Sequence, residues 1–135
     1  MKHAIATMLT VLSLTWGADA EAQAEPIEAV ISAQIKAFKA DDFEQAFTYA
    51  SPMIKRMFGD AQSFGVMVQR GFPMVWRPAN VQFLNQEERD GAVWQDVLVR
   101  DSTGASHVLQ YEMIQIDNGW KINGVRVREP AGLSA

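Results

Sequence analysis

Cysteine is absent from the 135 residues, and its absence removes several classes at once. No disulfide staples the chain, no thiolate serves as a nucleophile, and no zinc site of cysteine–histidine spacing forms. Attachment as a lipoprotein is excluded for the same reason. Histidine is nearly as scarce, with two in the chain, at His3 and His107. A metal site would fall to carboxylates alone, so neither a metal nor a cofactor is expected. A twin-arginine signal is excluded because no arginine pair marks the N-terminus.

A long apolar run is missing as well. The run Ala4 to Gly17 (AIATMLTVLSLTWG) has 14 residues, against the roughly 20 that span a bilayer. No stable membrane anchor is therefore expected. Nor does charge of one sign prevail: 12 Lys+Arg stand against 16 Asp+Glu. Without a basic stripe, nucleic acid is excluded as a partner.

What is present starts with the order of a secretory signal. Met1-Lys2-His3 is basic, Ala4–Gly17 is apolar, and Ala18-Asp19-Ala20-Glu21-Ala22-Gln23-Ala24 carries the small residues of a cleavage site. Ala22 and Ala24 predict cleavage after Ala24, with Ala18 and Ala20 as an earlier alternative. Residues 1–24 are then a signal peptide. Residues 25–135 form a single α+β domain with a core at about 27–128, periplasmic or secreted. Seven Phe with Trp76, Trp94 and Trp120 supply the core that disulfides cannot.

The first half of that domain reads as helices. Pro26 suits a first turn, and Ile27, Val30, Ile31, Ile35 and Phe38 form an i, i+3, i+4 stripe. Asp41-Asp42 caps a short helix carrying Phe43, Ala46 and Phe47, one carboxylate serving as the cap. Ser51-Pro52 starts a third, which turns Ile54, Met57 and Phe58 to the core and stops at Gly59. Asp60 caps a fourth with Phe64, Met67 and Val68, ended by Gly71.

From Phe72 the period becomes two. Met74–Trp76 reads as a short extended piece, since Arg77 precedes Pro78. Strands follow from about Val81 to Glu87, Ala92 to Arg100, His107 to Ile116 and Trp120 to Arg128. Turns fall at Asp90-Gly91, Asp101–Gly104 and Asn118-Gly119. Asn123-Gly124 breaks the last alternation, which predicts a bulge placing Trp120, Ile122, Val125 and Val127 on one face. Trp120 is expected to be buried. The tail Glu129–Ala135 is expected to fray. Helices followed by an antiparallel meander are an α+β pattern.

Read together, certain residues resemble a known family. They are Ile31-x-x-Gln34 with Phe38 and Asp41-Asp42; Ala46-Phe47-x-x-Ala50-Ser51-Pro52; Phe58-Gly59; Phe64-x-x-Met67-Val68; Arg77-Pro78; and Gly119-Trp120-x-Ile122-x-Gly124. The chain is similar over roughly Ile27 to Arg128 to the uncharacterised bacterial family called domain of unknown function 4864. The resemblance implies N-terminal helices packed on a curved antiparallel sheet, the nuclear-transport-factor-2-like or cystatin-like cone. It implies no activity. That superfold hosts ketosteroid isomerases, dehydratases and non-catalytic binding modules, so function there belongs to the site.

Two sets of residues bear on a site. Asp96 shares parity with Trp94 and Leu98, and Tyr111 with His107, Leu109 and Met113. If both faces lined the cone, a carboxylate and a phenol would meet there as acid–base partners. The opposite parity, Val93, Val97, Val99 with Val108, Ile114 and Ile116, is more uniformly apolar and is expected to face the core. Asp96 then falls outside. Met53, Met57, Met67, Met74 and Met113 follow core spacing but suit an adaptable apolar pocket too. The ligand candidates are Met67, Met113, Tyr111 and Trp94. His107 is expected to be a half-exposed strand residue. Arg100, Arg126 and Arg128 form a small cationic patch or solvated strand ends.

The leading functional expectation is a non-enzymatic module that binds a small apolar molecule or a protein partner. The alternative is an isomerase- or lyase-type enzyme using Asp96 and Tyr111 in the cone cavity. A purely structural subunit or homodimer is the third class. N-terminal sequencing of the protein from a periplasmic extract should begin at Glu25; an intact Met1 in the membrane fraction would refute the signal-peptide reading.

Overall fold

The structure is a computed structural model that describes residues 16–128, with side chains from Ala24 onward. The basic start, most of the apolar run and the tail from Glu129 lie outside the described residues. Helix α1 runs from Trp16 to Lys39 and includes Pro26 in its interior. The sequence places Pro26 in the first turn, where its missing N–H is harmless. Inside a helix it forfeits one backbone bond instead. The predicted stripe is the buried face: Ile27, Ile31, Ile35 and Phe38 are closed off, with Gln34 among them.

Short helices follow as their caps direct. Asp42 accepts from the Gln45 N–H at 3.1 Å and opens α2, Phe43–Thr48. Ser51 caps α3, Pro52–Phe58, which stops at Gly59 with φ of 81°. Asp60 caps α4, Ala61–Gly71, by accepting from the Ser63 N–H at 2.7 Å. One expectation fails on α3: no residue of the helix is fully buried, and Met57 is 66% exposed. The helix lies at the rim, so only Ile54 and Phe58 pack on the core.

Met74–Trp76 is likewise not extended. Pro73–Trp76 forms a single helical turn, α5, that buries Met74 and Val75. The fixed φ of Pro73 favours that turn at its first position, and three residues are too few for alternation to oppose it.

Four strands then pair in chain order as one antiparallel sheet: β1 Pro78–Arg89, β2 Ala92–Asp101, β3 Ser106–Ile116 and β4 Gly119–Arg128. The last hairpin turns at Asp117-Asn118, with φ of 51° and 64°, and not at Asn118-Gly119. Asp and Asn tolerate that left-handed backbone, which leaves Gly119 free to pair with Ile116.

Register decides the faces. Val93 lies opposite Met113, Gln95 opposite Tyr111 and Val97 opposite Leu109. Residues directly opposite share a face, so the valine row of β2 and the Leu109–Tyr111–Met113 row of β3 turn inward together. The expectation is met on β2 and reversed on β3: Val108, Ile114 and Ile116 face outward. On β4 the predicted bulge is present, between the Glu112–Gly124 and Met113–Ile122 pairs. It aligns Trp120, Ile122 and Val125 with the inner face. Trp120 is half-buried against the core, not buried, because it sits at the strand's open start.

The helices pack over the inner face, and Phe64 of α4 gathers the aromatic part of the core. Its ring centroid lies 5.2 Å from Phe47, 5.7 Å from Phe58 and 5.8 Å from Phe38. Beside it, Gly65 lets α4 close on Phe43: a methyl there would sit 2.6 Å from the ring. Gly65→Ala should therefore lower stability by about 1–3 kcal/mol, as overpacking does, despite the better helix propensity of Ala. A urea midpoint equal to or above that of the parent would show that the ring moves aside freely.

Candidate functional site

Between the helices and the inner face of β3 and β4 lies an apolar cavity of about 240 Å³. Helix α1 gives it Gln34 and Phe38; α3 gives Ile54, Met57 and Phe58; α4 gives Phe64, Met67 and Val68. The sheet contributes Tyr111 from β3 and Ile122 and Val125 from β4. Apart from Tyr111, nothing ionisable is among the described residues that line it. Gln34 is tied, its Nε2 donating to the Ala46 carbonyl at 3.2 Å.

Tyr111 is wholly buried, and its hydroxyl finds no hydrogen-bond partner among the described residues. Burial pushes the phenol above its ordinary range, so it stays a neutral donor. Leaving such a group unpaired costs on the order of 1–3 kcal/mol.

Asp96 does not join it. The register sets Asp96 opposite Gln110 and turns it to the outer face, as its parity predicts. There it accepts from Gln110 Nε2 at 3.3 Å and lies 3.6 Å from Arg128 Nη1. The carboxylate and the phenol stand on opposite sides of the sheet. Of the four ligand candidates, Met67 and Tyr111 line the cavity. Met113 is buried on the inner face but is not part of the lining. Trp94 is on the outer face, beneath the guanidinium groups of Arg89 at 4.7 Å and Arg126 at 4.9 Å. The two cation–π contacts help hide it from water. Thus Arg126 and Arg128 are engaged on that face rather than forming a free patch with the exposed Arg100.

The cavity wall depends on side-chain ties that sequence reasoning did not assign. Asn123, the bulged residue of β4, accepts from Ser51 Oγ at 2.7 Å and donates to Glu112 Oε2 at 3.1 Å. The Ser51 N–H donates to the Ile122 carbonyl at 2.8 Å, and the Ile122 N–H to the Tyr49 carbonyl at 2.9 Å. Helix α3 is thereby pinned to the sheet at its start. Gln95 fills the same office at the β1 bulge, where its Nε2 donates to the Leu84 and Asn85 carbonyls at 3.2 and 3.4 Å. A polar residue set in a valine row was its signal. Asp41 accepts from Trp76 Nε1 and Arg77 Nη2, both at 2.9 Å, and these partners hold its carboxyl below the usual range. Nothing local in the sequence announces a link across 35 residues.

His107 is partly exposed, its Nε2 2.8 Å from Asp101 Oδ2. The other oxygen of Asp101 gathers the β2–β3 turn, accepting from Thr103 Oγ1 at 2.6 Å and from the Thr103 and Ala105 N–H groups. Among the described residues no three His, Asp or Glu side chains are grouped to hold a metal ion.

The chain matches the family described as "Domain of unknown function (DUF4864)" over residues 20–135. It belongs to that family. Among solved structures it is similar to the solution structure of a SEC-C motif containing protein from Rhodopseudomonas palustris. That likeness has a TM-score of 0.56 at 14% identity and covers 76% of this chain and 78% of the other. At that identity the likeness attests the fold alone, α+β with helices before a four-stranded antiparallel sheet. No curated protein matches the chain.

The carboxyl of Asp101 is held well below its ordinary range, first by the Thr103 hydroxyl and then by His107. It ionises at lower pH in the folded chain than in the unfolded one. Its contribution is therefore complete above the unfolded value near 4 and is lost as pH falls through the folded value. Asp101→Asn should flatten the acid limb of stability against pH below about 4. Parallel curves for parent and variant, followed by chemical denaturation, would contradict this.

Proposed function

We propose that this chain is an exported, non-enzymatic module that holds a small apolar molecule in the cavity between its helices and sheet. One observation carries the reading: a cavity of about 240 Å³ is lined almost wholly by Phe, Met, Ile and Val. An enclosed apolar cavity of about 150 Å³ takes benzene, so this one suits a body of one to two rings. Apolar walls with few convergent polar groups are the usual form of small-molecule sites. Met57 and Met67 add side chains that adjust to varied shapes.

The arrangement is read as the nuclear-transport-factor-2-like cone, with the cavity as its interior. Export rests on the charged, apolar and small-residue order of residues 1–24. Cleavage after Ala24 would also return Pro26 to a first helical turn, where its missing donor costs nothing. No helix among the described residues is long and apolar enough to cross a membrane.

Titration with indane, followed by the methyl resonances of Met57 and Met67, tests the cavity. Both methyls should shift together and saturably, and Met67→Trp, which fills the space from α4, should abolish the response while the fold persists. Unmoved Met resonances at the solubility limit of indane would remove the reading.

A further inference from the structure

Among the described residues the cavity has a fully buried hydroxyl without a purpose inside the protein. Tyr111 lines it and is completely buried, yet its hydroxyl donates to nothing among the described residues. A phenylalanine would fill the same space without the cost of an unpaired donor. Its neighbours on the inner face, Leu109, Met113, Val97 and Ile122, are all apolar. The polar Gln95 directly opposite is committed to the carbonyls of the β1 bulge.

Building on the cavity reading, we infer that the occupant is an uncharged molecule with a carbonyl-type acceptor, which receives a hydrogen bond from the Tyr111 hydroxyl. Charge selects against the other chemistries. No Lys, Arg or His lines the cavity among the described residues, so a bound carboxylate or phosphate would be buried without a counter-ion. That is far costlier than burying a neutral acceptor. A cationic ligand meets no carboxylate there either. A pure hydrocarbon would fit but would leave the phenol unpaired. The hydroxyl oxygen is itself shielded from open space, so the wall yields as the acceptor arrives. Helix α3 is the part built to yield: it lines the cavity through Ile54, Met57 and Phe58, buries no residue fully, and is fastened at its Ser51 end.

The test is a comparison of 1-indanone, indane and indane-1-carboxylate against the full chain and Tyr111→Phe, with affinities from NMR titration. Removing the hydroxyl should weaken 1-indanone about fivefold, the worth of one net hydrogen bond. It should leave indane unchanged or slightly tighter. The carboxylate should bind neither protein. The variant should keep the parent's urea midpoint or exceed it, since an unpaired buried donor is removed; this guards against reading misfolding as lost recognition. Equal weakening of indanone and indane, or none of either, overturns the inference while leaving the cavity reading intact. Tighter binding of the carboxylate than of indanone overturns it too. Failure of all three ligands overturns both.

Discussion

The bulge at Asn123 is the constraint on which the sheet, the helices and the cavity jointly depend. A strand with strict alternation could turn Trp120 and Ile122 inward, or Val125, but not all three. The extra residue resets the phase, and the released side chain takes up polar work. Asn123 links Ser51, the cap of α3, to Glu112 on the outer side of β3. Ser51 then fastens through its backbone to Ile122, one residue before the bulge. A single irregular position therefore sets which face of β4 is apolar and where the helical wall of the cavity begins.

Polar groups in the interior divide by whether the protein satisfies them. Gln34 and Gln95 are buried and donate to backbone carbonyls, Gln34 to Ala46 in α2 and Gln95 to Leu84 and Asn85 at the β1 bulge. Such bonds cost little net energy to form and much to lose, which makes these glutamines structural. Tyr111 is buried to the same degree without a partner. The contrast matters because all three sit in apolar surroundings and would look alike in a burial profile. Only the hydrogen-bond account separates a polar residue that completes the fold from one left without a partner among the described residues.

The two sides of the sheet carry different chemistries. Inside are valine, leucine, methionine, the phenol and the bonded Gln95. Outside, Trp94 is covered by two arginines, and Asp96 is engaged by Gln110 and Arg128. The acid–base pair suggested by parity is split across this divide. That split separates the two groups that proton transfer would need together: the cavity lining holds the phenol and no carboxylate among the described residues.

Caps and the bulge were legible because each is a local arrangement, while the last turn was read one residue late. Asp42, Ser51 and Asp60 satisfy N–H groups three residues ahead, and Asn123-Gly124 breaks a period of two within its own strand. The family resemblance was likewise readable from short spacings, and the chain proves to belong to that family. Faces were less legible. The inward row of β2 followed from its valines, but β3 is apolar on both parities, so composition could not choose between Val108–Ile114–Ile116 and Leu109–Tyr111–Met113. Pairing chose, because residues directly opposite in an antiparallel ladder must share a side, and Val93 and Val97 had already been claimed by the helices. The exposure of Met57, the concealment of Trp94 under Arg89 and Arg126, and the tie from Asp41 to Trp76 and Arg77 were beyond the sequence for one reason. Each depends on where a distant element lies, and only the tertiary structure brings those elements within reach.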